Sequence, residues 1–159
     1  MSLLNKEPVK RAEKALKEFD KTLSVTELEN TARTAVDAAK SLNCEVGAIV
    51  KRLLFKNGDN YFLCLVSGDK RCSLNKLKNL FNSKDLSMAS PNDVKEQTGY
   101  TIGGVSPIGH KNNLEILVDR SLNRFNDLYA AAGHPNCIFK INFDDLIKIT
   151  NGSIEDVIE

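Results

Sequence analysis

Ile49-Val50-Lys51-Arg52-Leu53-Leu54-Phe55-Lys56-Asn57-Gly58-Asp59-Asn60-Tyr61-Phe62-Leu63-Cys64-Leu65-Val66 is the stretch on which the fold turns. From Ile49 to Phe55, β-branched and large apolar residues follow one another without the gaps of a helical period. Tyr61 to Val66 does the same, so both segments read as strands. Asn57-Gly58 between them is a hairpin signal, because such turns need a residue that tolerates positive φ. Alternation puts Ile49, Lys51, Leu53 and Phe55 on one face and Val50, Arg52 and Leu54 on the other. Each face is mainly apolar yet carries one cation. A cation with apolar neighbours must reach water, snorkel or meet an anion, so one of Lys51 and Arg52 is expected to line a cleft.

The flanks supply helices. Val9, Ala12, Leu16 and Phe19 recur at helical spacing among Lys10, Arg11, Lys14, Lys17 and Lys21, which predicts an amphipathic first helix with a solvated basic face. Thr34, with Asp37 three residues on, caps a helix over 35–42. After the hairpin, Ser67-Gly68-Asp69 makes a turn, with Asp69 ordering it. Leu74, Leu77, Leu80 and Phe81 mark a short helix, and 86–89 a short strand. Ser90-Pro91 starts a further helix that Gly99 stops. Beyond Gly109, strands are expected over 114–118, 128–132 and 137–141, with 122–125 unassigned. A last helix opens at Asp144 or Asp145 and ends at Asn151-Gly152. Hairpins mixed with single helices predict an α+β fold with a mixed sheet. The length of 159 residues, without a linker or repeat, predicts one domain over 1–159.

Composition excludes several functions. With a net charge of +1, any contact with nucleic acid must come from a local basic patch rather than a global positive field. No apolar run is long enough to span a bilayer and the N-terminus carries no secretory signal, so a cytoplasmic location away from membranes is expected. Cys44, Cys64, Cys72 and Cys137 form no Cys-x-x-Cys pair, and only His110 and His134 are available to join them. No metal site is expected, and Cys64 and Cys137 read as buried packing residues.

Chemistry concentrates in Thr98 to Lys111, where four of the nine glycines fall within eleven residues around Pro107. Glycine permits positive φ and close main-chain approach, and amides freed in this way suit an anionic or oxyanionic group. The spacing of Gly104 to Lys111 imitates a P-loop only superficially. Histidine precedes the lysine, asparagine follows it, and Pro107 removes one amide, so nucleotide hydrolysis is set aside.

The run from Thr98 to His110, together with Glu45 to Lys51 and Val66-Ser67-Gly68-Asp69, resembles the YbaK family, the prolyl-tRNA synthetase-associated editing domain. The resemblance extends from Thr34 to Gly152 and implies a mixed, partly barrel-like sheet with flanking helices. It also implies a freestanding trans-editing hydrolase acting on the 3′ aminoacyl ester of mischarged tRNA, with tRNA-Pro as the acceptor. No cofactor, metal or covalent nucleophile is implied. The partners implied are the acceptor end of an aminoacyl-tRNA and a synthetase. Lys51 falls on the family's essential lysine and Gly103 to Pro107 on its Gly-x-x-x-P loop.

On this resemblance Lys51, Gly103 and Gly104 are the catalytic candidates, with Val105, Ser106, Pro107, Ala131, Gly133 and His134 binding substrate. Loop amides would stabilise the oxyanion, and Lys51 would hold a phosphate or neutralise developing charge. His134 is a candidate base or a wall residue, His110 a brace for the loop, and Ser106 a donor either to the ester or to its own loop. Ala131 and Ile138 stand where the family's cysteinyl-tRNA deacylases carry serine and aspartate, which argues against cysteine and toward alanine or serine as the residue removed. The alternative to a hydrolase is a non-catalytic module that binds a tRNA end or an aminoacyl compound beside a synthetase.

Overall fold

The computed structural model describes residues 2–30 and 32–159. Its central feature is the hairpin of β2 (Val50–Asn57) and β3 (Asn60–Ser67), paired antiparallel in register from Val50 opposite Ser67 to Asn57 opposite Asn60. The two-residue turn is therefore Gly58-Asp59 rather than Asn57-Gly58. Gly58 takes the positive φ of 61° while Asn57 remains in the ladder.

Around this hairpin the chain builds, in order, α1 (Glu7–Phe19), β1 (Val25–Glu27), α2 (Ala35–Leu42), α3 (Leu74–Phe81), β4 (Leu86–Met88), α4 (Pro91–Thr98), β5 (Glu115–Asp119), β6 (Leu128–Ala131), β7 (Cys137–Ile141), α5 (Phe143–Thr150) and β8 (Ser153–Glu155). The strands form two sheets. A five-stranded sheet has the order β4-β2-β3-β5-β8, antiparallel through β4, β2 and β3 and parallel through β3, β5 and β8, so it is mixed as expected. A three-stranded antiparallel sheet has the order β1-β7-β6. The barrel does not close: the sheets meet through a parallel bridge between Ile49 and Tyr129, at the foot of β2.

Side-chain alternation along the hairpin sorts two cores. Val50 and Leu54 of β2, with Leu63 and Leu65 of β3, face the larger core, which also takes Val9, Ala12 and Leu16 of α1 and Phe139 of β7. Phe55, Phe62, Cys64 and Val66 face the other side and pack on Leu77 of α3 and on Val157. Arg52 thus emerges from the face of the larger core, and Lys51 from the opposite face.

Local signals account for the helix limits. Thr34 Oγ1 accepts from the Asp37 amide and Ser90 Oγ from the Asp93 amide, and Gly99 ends α4 with a φ of 79°. α5 begins at Phe143, one or two residues earlier than expected, because Asn142 rather than either aspartate is the cap, its Oδ1 accepting from the Asp145 amide at 2.8 Å. Residues Arg120–Arg124 form a 3₁₀ turn capped by Asp119. Phe19, at the end of the apolar stripe of α1, stays exposed.

Candidate functional site

The bridge between Ile49 and Tyr129 leaves a cavity of about 280 Å³ on the seam of the two sheets. β2 contributes Ile49, Lys51, Arg52 and Leu53 to its wall. β6 contributes Tyr129 and Ala131, and β7 contributes Ile138. Ala131 and Ile138 are direct partners across β6 and β7, so the positions singled out for specificity face the same space. The N-terminal end of α2 closes one side with Thr34, Ala35 and Ala38, and Gly103 and Pro135 close another.

Lys51, Gly103 and Ala131 are therefore brought together. Gly104, Val105, Ser106, Pro107, Gly133 and His134 do not line the cavity; Val105 and Gly104 are bonded to Arg52 and Gly133, and Pro107 faces a separate pocket beside His110. Gly103 has a φ of 91°, and a Cβ there would stand 3.2 Å from Pro135 Cγ. Gly104 has no room for a side chain either, since an added Cβ would lie 2.8 Å from the Gly133 carbonyl oxygen, to which the backbone is laced by the Gly133 amide bonding Gly104 O at 2.9 Å. The Gly104 amide, expected to offer itself to a substrate oxygen, donates instead to Thr101 O at 3.0 Å. Ser106 is fully buried, and among the described residues its Oγ has no partner. His134 Nδ1 accepts from the Asn136 amide at 3.0 Å, which orders its own turn outside the cavity. Burial and the charge of Lys6 lower its pKa.

Two arginines hold the loop, and neither role was legible as such in the sequence. Arg11 of α1 donates through Nε to Gly109 O at 2.9 Å and through Nη2 to Gly99 O at 2.8 Å, and lies 4.5 Å over the Tyr100 ring. Its helix face is thus a clamp on the loop rather than a solvated surface at that point. Arg52 donates through Nε to Val105 O at 2.7 Å, through Nη2 to Gly103 O at 2.9 Å and through Nη1 to Val50 O at 2.9 Å. The signal for Arg52 was the alternation in β2, which marked a cation on an apolar face without choosing between it and Lys51. Both line the cavity.

Lys51 Nζ donates to the Lys70 carbonyl, the snorkel expected of a lysine on a mostly apolar face. Desolvation lowers the pKa of Arg52 to about 10, still well above neutral pH, so the guanidinium is charged. His110 Nε2 bonds Ser106 O at 2.6 Å, and because a carbonyl only accepts, that nitrogen carries the proton. Burial, followed by the repulsion of Arg11, keeps this ring below its ordinary pKa. Asp69 receives Arg124 and the Ser67 hydroxyl, which hold its carboxyl down at about 2. It orders its turn as expected.

The described wall contains the cations Arg33, Lys51 and Arg52 and no carboxylate. Such a site suits an anionic or oxyanionic group. Among the described residues no group of three or more His, Cys, Asp or Glu converges, and no helix is long and apolar enough to cross a membrane.

Residues 29–149 match the family model for the aminoacyl-tRNA editing domain. The fold is that of an α+β domain of this class, and the chain belongs to the aminoacyl-tRNA editing domain family. A crystal structure of a proposed trans-editing enzyme for prolyl tRNA synthetase superposes with a TM-score of 0.92 at 35% identity, covering 97% of this chain and 98% of that one. The uncharacterized protein YwhH of Bacillus subtilis (strain 168) is 33% identical over 134 residues, 84% of this chain and 85% of YwhH. The proline–tRNA ligase of Fervidobacterium nodosum is 38% identical over 87 residues, which are 55% of this chain but 15% of the ligase.

Proposed function

We propose that the protein is a trans-editing hydrolase that removes a small amino acid from a mischarged tRNA-Pro by hydrolysing the 3′ aminoacyl ester. The observation that carries this reading is the meeting of Lys51, Gly103 and Ala131 around one cavity in a chain of the editing-domain family. An aminoacyl ester is already activated, so catalysis needs a positioned water and a stabilised oxyanion rather than a covalent nucleophile. Water adds to the ester carbonyl carbon, the bond to the ribose oxygen breaks, and that oxygen takes the proton as the free amino acid leaves. The flexible stem of Lys51 allows Nζ to exchange the Lys70 carbonyl for the terminal phosphate or the reacting ester. Support for a small substrate comes from the cavity volume of about 280 Å³, with alanyl and seryl esters the leading choices. The base is supplied by the substrate, since His134 stands outside the cavity with Nδ1 engaged.

That shortage of a side-chain base also favours the second reading, a non-catalytic module that binds the acceptor end and serves a synthetase. Alanyl-, seryl-, threonyl- and cysteinyl-tRNA-Pro incubated with the purified protein separate the two. Release of at least one amino acid, alanine or serine first, supports the hydrolase. Binding of the tRNA without release of any would replace it with the binding module.

A further inference from the structure

Arg52 has more donors than the loop uses. A guanidinium carries five N–H groups, and the bonds to Val105 O, Gly103 O and Val50 O occupy three of them, one on each nitrogen. One N–H on Nη1 and one on Nη2 remain, and among the described residues nothing accepts from either. No carboxylate pairs with this cation among the described residues, whereas Arg11 has Glu7 and Arg124 has Asp69. Such a charge, half-buried and with only carbonyl dipoles among the described residues for partners, is partly stripped of water without a counter-ion, and an arriving anion relieves that cost. Arg52 also lines the cavity, so the unused donors sit on a residue that a bound molecule can reach.

The carbonyls of the loop point the same way. Gly103 O and Val105 O both turn to Arg52, while Gly104 O faces Gly133. In a trans peptide the N–H opposes its carbonyl, so the Gly104 and Ser106 amides are directed away from the guanidinium. The fixed positive group on this flank of the cavity is therefore a side chain as much as a main-chain nest.

We propose that Arg52 is a second substrate-touching residue of the site: its two unused N–H groups bind an oxyanion, in the reaction the tetrahedral oxygen of the aminoacyl ester. This rests on the editing reading for the identity of the oxyanion, but not for the existence of the anion site. As water adds to the carbonyl carbon, the C=O electron pair moves to oxygen and Arg52 receives the new charge. Collapse restores the carbonyl and expels the ribose oxygen. Lys51, from the opposite face of β2, is left for the phosphate side of the substrate.

The test uses the whole chain labelled with ¹⁵N-arginine, the Arg52 side-chain resonances being identified by their loss in Arg52→Lys. Titration with inorganic phosphate is expected to shift the Arg52 resonances saturably. A guanidinium that only braces the loop would not respond, and an unmoved Arg52 resonance at saturating phosphate overturns the anion site. In parallel, Arg52→Lys with an unchanged melt is expected to lower kcat roughly 10²–10³-fold on whichever ester the wild type discharges, the size seen for one oxyanion donor, with KM little changed. Retention of wild-type kcat by the folded variant overturns the catalytic role. Phosphate binding at Arg52 in a protein that discharges no ester would leave the site standing and sink the editing reading instead.

Discussion

Gly103 is held at a φ of 91° with Pro135 against it, so the smallest side chain meets both backbone strain and a neighbour. Gly103→Ala is expected to cost about 1–3 kcal/mol in urea unfolding, and to lose deacylation by more than that loss explains because the displaced loop borders the cavity. His110 gives a pH dependence with a definite sign. Its folded pKa lies below the ordinary 6.5 because burial disfavours the imidazolium, so the unfolded chain takes up a proton first as pH falls. The stability contributed by the neutral ring is full above 6.5 and is lost as pH drops through the folded value. His134 is shifted the same way. Melting temperature is thus expected to fall as pH is lowered from about 7 to 5, and His110→Gln to flatten part of that fall. At this scale the glycines were legible, since their clustering advertised the loop. Arg52 was only half legible: alternation exposed a misplaced cation, but its acceptors lie about fifty residues away in sequence, at Gly103 and Val105.

Two helices position the site, one in its wall and one outside it. α2 enters the cavity wall through Ala35 and Ala38, and its first turn hangs on Thr34. Thr34→Ala removes that cap at about 1 kcal/mol and loosens the wall, so the expected outcome is a raised KM with kcat less affected, read from steady-state deacylation. α1 packs on the loop through Val9, Ala12 and Leu16, and hydrogen-bonds it through Arg11. Arg11→Gln loses bonds from a charged donor to Gly99 O and Gly109 O, expected to cost about 2 kcal/mol, with faster amide exchange confined mainly to the loop. The limits of α2 and α4 were readable because Thr34, Ser90 and Gly99 carry the signal locally. β1 and β8 were not, being three-residue strands that earn their geometry from partners far along the chain: β7 for the first and β5 for the second. The assignment of Asp144 or Asp145 as a helix start failed for a related reason, since Asn142 offers the same cap two residues before Asp144.

For the whole molecule, the decisive event is the meeting of two sheets at Ile49 and Tyr129. The hairpin, the mixed sheet and the α+β class follow from local patterns in the chain, whereas the seam and its cavity arise from pairing between distant segments and have no local signature. The family resemblance supplied the association of Lys51 with Gly103 that periodicity alone could not. The seam also explains why Lys51 and Arg52, consecutive and pointing to opposite faces, both reach one cavity: it opens at the end of β2, where the sheet gives way to the bridge. Hydrolysis of an aminoacyl ester in this cavity, as proposed, requires Lys51. Single-turnover discharge of alanyl-tRNA-Pro, by wild type and by Lys51→Ala with matched melting curves, tests it most directly. Rapid release of alanine by the wild type and release at the spontaneous rate with Lys51→Ala is the result expected; equal release by the two folded proteins would contradict it.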